Sequence, residues 1–132
     1  MTHSLVIPES KTGHRETPLT ADCRRLMQIY EGARPDSGGP LVDRSRRSIR
    51  RWIGAAAEAV LDDDDAARVS PHDARRTWAT DCYWTLATAG FDAEIVVMNW
   101  GGWSSRETFR TNYLGRVPDA VAAEMQQTAG LE

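Results

Sequence analysis

The tetrapeptide Ser70-Pro71-His72-Asp73 constrains the fold of this chain more than any other segment. Serine is a preferred N-cap residue, proline is favoured at the first helical position, and an acidic residue follows where a capping box places it. These residues predict a helix that begins at residue 71 and runs to Gly90. One face of it carries Ala79, Cys82, Tyr83 and Leu86, with His72 and Arg75 predicted to point inward in the first turn.

A β-hairpin is predicted at the start of the chain, where residues 4–8 and 15–19 flank a turn in which Gly13 can adopt a positive φ. Thr20 then caps a first helix that extends to about residue 33, and the segment RPDSGGP predicts a loop. Further helices are predicted over about 44–61, 92–100, 104–115 and from residue 118 onward. The sequence therefore predicts a mainly α, α+β domain with one hairpin and about six helices.

The length of 132 residues supports a single domain, with the hairpin at 4–19 and a helical part at 20–132. Hydrophobic residues make up 41% and charged residues 27%, as is typical of soluble globular proteins. The chain has no apolar run of about 18 residues and its start lacks a signal-peptide pattern, so we expect no membrane contact and a cytoplasmic location. Cys23 and Cys82 show no zinc or disulfide spacing and are predicted to be small core residues.

The predicted second helix has an apolar side and a basic side. Its buried side is predicted to carry Ile49, Trp52, Ala56 and Val60. The opposite side, called here the arginine face, carries Arg44, Arg46, Arg47, Arg50 and Arg51. A net charge of −3 argues mildly against nucleic acid, but this local set favours contact with DNA phosphates, and a merely solvated surface is the alternative. The acidic run at 62–65 predicts a solvated loop, and no metal is assigned to it.

His72 and Arg75 form a His-x-x-Arg pair on one face of a helix at its N-terminus. Free backbone N–H groups and the helix dipole favour an anion such as phosphate at that position. A histidine exposed beside a surface arginine is the alternative interpretation. The order of the other motifs along the chain bears on this choice.

Four segments follow one another: KTGHRETPL on the hairpin, PHDARRTWAT, WGGWSSRETF and NYLG. Their order resembles that of the tyrosine recombinase, or phage integrase, family over roughly residues 5–115. In that family a hairpin lysine, a His-x-x-Arg helix, a Gly-His or Gly-Trp pair and a C-terminal tyrosine occur in this order. The matching residues here are Lys11, His72, Arg75, Trp103 and Tyr113.

The resemblance implies a site-specific recombinase that cleaves and rejoins double-stranded DNA through a 3′-phosphotyrosine, self-associating on DNA as a tetramer. Tyr113 would attack the phosphorus, and Arg75 would bind the non-bridging oxygens. His72 would donate to the phosphate and carry a proton, and Lys11 would protonate the departing 5′ oxygen. Trp103 would position these groups. The chemistry requires neither metal nor cofactor.

The chain departs from the family in two respects. The family's first catalytic arginine and its DNA-clamping domain lie upstream of the hairpin, where this chain begins, so we expect a partial catalytic domain that is incomplete on its own. The spacing from Trp103 to Tyr113 is also about one residue longer than usual. Lys11, the only lysine, could be an ordinary turn residue, and Tyr113 a core residue. The alternatives are a non-catalytic DNA-binding or regulatory remnant of an integrase and, more weakly, a type IB topoisomerase-like strand transferase.

Overall fold

One two-stranded hairpin and seven helices make up the part of the chain that the structure, a computed structural model, describes: residues 2–35, 38–114 and 117–130. Most of these residues are helical, which confirms the mainly α, α+β class. The chain divides into two compact units. The first comprises the described residues of 1–6 and 16–71, and the second those of 7–15 and 72–132. Within the described ranges, no helix has both the length and the apolar character needed to cross a membrane.

The hairpin pairs β1 (His3–Ile7) with β2 (Arg15–Leu19), as predicted. Gly13 adopts a φ of +89° in the turn, and its N–H donates to the Ser10 carbonyl oxygen at 3.0 Å. Side chains alternate along both strands, so every second residue is half-buried. On β2 the half-buried positions include Arg15, its first residue.

Three helices in the first unit each begin at a side-chain cap. They are α1 (Ala21–Gly32), α2 (Arg46–Val60) and α3 (Asp63–Ala66). The side-chain oxygens of Thr20, Ser45 and Asp62 accept hydrogen bonds from backbone N–H groups one turn later, which satisfies donors that have no partner within the helix. The predictions of α1 and α2 are confirmed.

The buried row of α2 differs from the prediction. Ile49 and Ile53 are half-buried and Ala57 is buried, whereas Trp52 is 50% and Val60 80% exposed. The buried residues follow one i, i+4 row, while the prediction combined residues of two neighbouring rows. The helix contacts α3, and the small Ala57, not the indole of Trp52, is its buried residue.

The acidic run at 62–65 forms the start of α3 and is not the loop that was predicted. Asp62 caps the helix, and its Oδ1 accepts from the Asp65 N–H at 2.9 Å. The following carboxylates occupy the first turn, where the helix dipole favours negative charge. They stay exposed, so the predicted solvation of these side chains is correct.

Four further helices follow along the chain, and from residue 72 onward they form the second unit together with the end of the hairpin. They are α4 (Pro71–Thr88), α5 (Ala93–Gly101), α6 (Arg106–Tyr113) and α7 (Asp119–Ala129). Gly90 ends α4 with a φ of +87°, and the Phe91 N–H donates back to the Leu86 carbonyl oxygen at 3.0 Å. All four helices confirm the predictions.

The core of the second unit is rich in aromatic side chains. Its buried residues are Ala79, Val97, Met98, Phe109 and Tyr113, with Trp78, Cys82, Tyr83, Leu86, Trp103 and Leu114 packed against them. The apolar face predicted for α4 is therefore confirmed. Burial raises the pKa of the Cys82 thiol, and the neighbouring Asp81 carboxylate raises it further. Cys23 is instead exposed, because α1 has no buried residue, so its predicted core position is wrong.

Two glycines shape the turn that ends α5. Gly102 adopts a φ of +75°, and the Trp103 N–H donates to the Met98 carbonyl oxygen at 2.9 Å. Gly101 has no room for a side chain, because a Cβ atom there would overlap the six-membered ring of Trp103. That ring packs against the core and cannot move aside without disturbing it.

We expect Gly101→Ala to destabilise the protein by about 1–3 kcal/mol, because the added methyl group forces the Trp103 ring or the backbone to shift. Gly54→Ala is the matched control, since Gly54 lies inside α2 and a Cβ there meets nothing within 4 Å. Alanine should stabilise that helix by up to about 1 kcal/mol. Denaturant titration followed by circular dichroism measures both variants. Equal effects would contradict the packing of Trp103 on Gly101.

Candidate functional site

The carbonyl oxygen of Gly101 accepts hydrogen bonds from two arginines. Arg15 donates from Nη1 at 2.5 Å, and Arg75 donates from Nη2 at 2.6 Å. Gly101 ends α5, and the last carbonyl groups of a helix lack partners within it and carry partial negative charge. The two guanidinium groups therefore cap α5, and this one oxygen is bound by both β2 and α4.

The guanidinium of Arg75 also lies on the ring of Trp103. Its Cζ atom is 4.0 Å from the ring centroid, a distance typical of a cation–π contact. The centroids of Tyr113 and Phe109 lie 4.5 and 5.2 Å from that of Trp103. Trp103 is thereby held in contact with both Arg75 and the core.

Tyr113 is the last residue of α6 and is only 6% exposed. Its ring packs against Trp103, and its centroid lies 6.2 Å from that of His72. Its backbone carbonyl accepts a hydrogen bond from Thr80 Oγ1 at 2.6 Å, which ties the end of α6 to α4. The residue predicted to be the nucleophile is thus a core residue that has His72 as a neighbour.

His72 lies in the first turn of α4 and is exposed, so the inward orientation predicted for it is wrong. Its neighbours Pro71 and Asp73 are half-buried, as is Arg75, so His72 lies on the solvent side of the first turn, and the fully buried part of α4 begins only at Ala79. The imidazole is therefore open to solvent near Tyr113, while Arg75 is half-buried.

Lys11 is exposed in the turn of the hairpin. The next residue, Thr12, approaches the turn after α5, because a Cβ atom at Gly102 would lie 3.2 Å from its Oγ1 and would overlap the Arg15 guanidinium. The end of the hairpin thus lies against the Gly101–Gly102 turn, and Lys11 is one residue from that contact. We name the residues around this turn, Lys11, Arg15, His72, Arg75, Trp103 and Tyr113, the Gly101 cluster.

Two other arginines of the second unit, Arg106 and Arg110, share one carboxylate, that of Glu94. Arg110 donates from Nε to Glu94 Oε2 at 3.0 Å, and its Nη2 lies 2.9 Å from the same oxygen. Arg106 lies 3.6 Å from the other oxygen, too far for a hydrogen bond. The arginine side chains are more than 60% exposed, so water screens these pairs and each contributes at most about 1 kcal/mol.

Arg15 and Arg75 place two positive charges side by side without a carboxylate among the described residues to balance them. Their bonds to one oxygen place the two nitrogens within about 5 Å of each other. At an effective dielectric constant of about 20, two positive charges at that distance repel by about 3 kcal/mol. Among the described residues neither arginine pairs with a carboxylate, and the buried Nε of Arg15 has no hydrogen-bond partner.

Arg15 is the residue of this cluster that the sequence analysis missed. Its bond to Gly101 joins residues 86 positions apart, a separation that no local pattern reveals. One signal was present, because alternation along β2 places Arg15 on the same side as the half-buried Thr17 and Leu19. A guanidinium on that side of a strand needs an acceptor.

The arginine face lies in the first unit, and all five of its residues are exposed. Arg44 donates to the Asp43 carbonyl oxygen at 2.7 Å. In the part of the chain that the structure describes, none of the five forms an ion pair. Arg44 precedes the N-cap Ser45 and so lies outside α2, whereas the other four form an exposed basic side of the helix.

The Gly101 cluster offers phenol, imidazole, ammonium and guanidinium groups for chemistry. Within residues 2–35, 38–114 and 117–130, no three His, Cys, Asp or Glu side chains are grouped so as to hold a metal ion. Comparisons with protein-family models, with curated proteins and with solved structures found no match to this chain. The functional assignment therefore depends on the residues of the cluster themselves.

Proposed function

We propose that this chain is the catalytic part of a site-specific DNA recombinase that acts through a tyrosine nucleophile. The observation that carries the proposal is the meeting of three separate segments: His72 and Arg75 on α4, Trp103 after α5, and Tyr113 at the end of α6. These are the residues that the resemblance selects from the sequence. Their proximity supports one shared role, since the segments are far apart in the chain.

The proposed reaction exchanges one phosphate ester for another. The Tyr113 hydroxyl oxygen attacks the phosphorus and forms a 3′-phosphotyrosine, while the bond between phosphorus and the 5′ oxygen breaks. His72 accepts the phenolic proton, and Lys11 protonates the departing 5′ oxygen. Arg75 stabilises the charge that develops on the non-bridging oxygens. Because the ester bond is conserved, the 5′ hydroxyl can attack in reverse and rejoin the strand.

Tyr113 must become accessible for this reaction, because it is 6% exposed. We infer that the end of α6 moves away from α4 and the core to expose it. The movement breaks the hydrogen bond from Thr80 and separates the phenol ring from Trp103. We infer that contacts with DNA supply the free energy that this movement costs.

The arginine face supports double-stranded DNA as the substrate. It creates a local positive surface although the net charge of the chain is −3. Each guanidinium can contact a backbone phosphate and release counterions, which gives affinity without sequence specificity. On DNA, copies of the chain are proposed to associate in the tetrameric arrangement that the resemblance implies.

A non-catalytic DNA-binding remnant is the second candidate, and the burial of Tyr113 is the observation that favours it. In that case Tyr113 and Trp103 serve only the packing of the core. The arginine face would still bind DNA, but no covalent linkage to DNA would form. A search for that linkage separates the two candidates.

The wild-type chain, proposed to be incomplete on its own, is expected to form a small amount of covalent adduct with nicked duplexes that carry random sequence around the nick, and Tyr113→Phe should abolish it. Phenylalanine keeps the packed ring and removes the attacking oxygen. Denaturing gels detect the adduct, and mass spectrometry locates the linked residue. Tyr30→Phe and Tyr83→Phe are the controls and should retain the adduct. An adduct on Tyr30 or Tyr83 contradicts the assignment of Tyr113 as the nucleophile. If the wild-type chain binds DNA but forms no adduct, the result favours the non-catalytic remnant.

Lys11→Ala is expected to slow cleavage of ordinary DNA by at least about 100-fold, as for loss of a general acid. With a 5′-bridging phosphorothiolate, the sulfur leaves without a proton, so most of the defect should disappear. Single-turnover rates of wild type and variant on both substrates provide the measurement. Equal defects on the two substrates would assign Lys11 a structural or binding role.

Arg50→Gln combined with Arg51→Gln should weaken DNA binding and reduce the salt dependence. Each lost phosphate contact lowers the magnitude of the slope of log affinity against log salt concentration by about 0.9, so the double variant should lower it by nearly 2. The wild-type affinity is expected to be micromolar. Fluorescence anisotropy at several salt concentrations measures the slope. Arg25→Gln combined with Arg68→Gln, also at exposed positions, is the control. Equal slopes for the two double variants would contradict binding by the arginine face.

A further inference from the structure

We propose that Arg15 and Arg75 together bind one phosphodiester group, so that Arg15 is a second phosphate-binding arginine of the Gly101 cluster. That this group is the one cleaved rests on the proposed recombinase function. The anion site itself follows from the two guanidinium groups and holds without that function.

The two side chains are placed to share one anion. Their nitrogens on the Gly101 carbonyl oxygen lie within about 5 Å of each other. Each of these two nitrogens carries a second N–H, and two such donors can each bond an oxygen of the same phosphate group at about 2.8 Å. Both residues are half-buried, so water screens them only in part while a part of each stays accessible.

The protein leaves most donors of this pair unused. A guanidinium has five N–H donors. Among the described residues, the hydrogen bonds of Arg15 and Arg75 go to the Gly101 carbonyl oxygen alone, and the Arg15 Nε is buried without an acceptor. Arg106 and Arg110, by contrast, share the Glu94 carboxylate. Among the described residues, no carboxylate does this for Arg15 and Arg75, which leaves their remaining N–H groups to a bound anion.

Capping of α5 accounts for only one of the two arginines. One cation is enough to match the partial negative charge at the end of a helix. A second cation on the same oxygen adds repulsion, which a bound anion removes. Arg15 also occupies a half-buried strand position, where an apolar side chain would need no acceptor at all.

Heteronuclear NMR on the full ¹⁵N-labelled chain tests the site directly. The Nε–H signals of Arg15 and Arg75, assigned from Arg15→Lys and Arg75→Lys, are followed during titration with dimethyl phosphate, inorganic phosphate or sodium chloride at equal ionic strength. We expect both signals to shift along one saturable curve with dimethyl phosphate and not with chloride. A response to inorganic phosphate alone would overturn the phosphodiester assignment. No saturable response to either phosphate would overturn the site.

Substitutions of Arg15 then test its part in the binding reported by Arg75. Arg15→Ala should weaken the affinity for dimethyl phosphate at least 10-fold. Arg15→Lys keeps the positive charge but loses the forked N–H donors of the guanidinium, so this variant should bind dimethyl phosphate at least threefold more weakly. Arg25→Ala, on the exposed side of α1, is the control. If the alanine variant does not fold, the lysine variant decides, and unchanged affinity in a folded Arg15 variant overturns the proposal.

The covalent-adduct assay separates this proposal from the proposed function. If both hold, Arg15→Ala should slow adduct formation by about 100- to 1,000-fold, as for loss of one donor to a developing oxyanion, and Arg15→Lys at least 10-fold. Binding of dimethyl phosphate that depends on Arg15, without an adduct on the wild-type chain, supports the anion site and refutes the recombinase. If the Arg15→Lys variant forms the adduct at the wild-type rate and binds dimethyl phosphate with wild-type affinity, the recombinase is supported and the role of Arg15 is overturned.

Discussion

The carbonyl group of Gly101 is the point on which the arrangement of the second unit depends. It holds a strand residue, Arg15, and a helix residue, Arg75, on one oxygen atom. Because Gly102 turns the chain with a positive φ, Trp103 folds back over Gly101 and meets the Arg75 guanidinium. One backbone oxygen therefore joins the end of the hairpin to the start of α4, and the turn beside it brings Trp103 onto the aromatic core.

The two basic regions of the chain differ in how their charges are held. Arg75 is fixed by an aromatic ring and by a hydrogen bond, so it loses little conformational freedom when an anion binds to its remaining N–H groups. The side chains of the arginine face are free in solvent, and each must be ordered when it contacts a phosphate. The first kind of site suits precise placement of one phosphate, and the second suits general attraction of a polyanion.

Most helix boundaries were predictable because their signals are local, as the cap at Thr20 illustrates. Burial was less predictable, since it depends on which neighbour an element meets: α2 packs against α3 with a different row, and His72 stays at the surface. Contacts between distant segments, such as that of Trp103 with Tyr113, were predictable only where the family resemblance grouped the residues into one site. Arg15 had no such guide, because its partner Gly101 lies 86 positions away in the chain.

Thr80 on α4 donates a hydrogen bond to the Tyr113 carbonyl at the end of α6. The movement that would expose the tyrosine therefore depends on α4 as well as on α6. Such a bond contributes about 1 kcal/mol net to the closed arrangement. Its loss alone would therefore raise the population of the released state about fivefold. The same helix carries Arg75 one and a half turns earlier, so any shift of α4 that accompanies anion binding also changes this population. In the proposed recombinase, occupancy of the anion site and accessibility of the tyrosine are therefore expected to be linked equilibria, each of which alters the other.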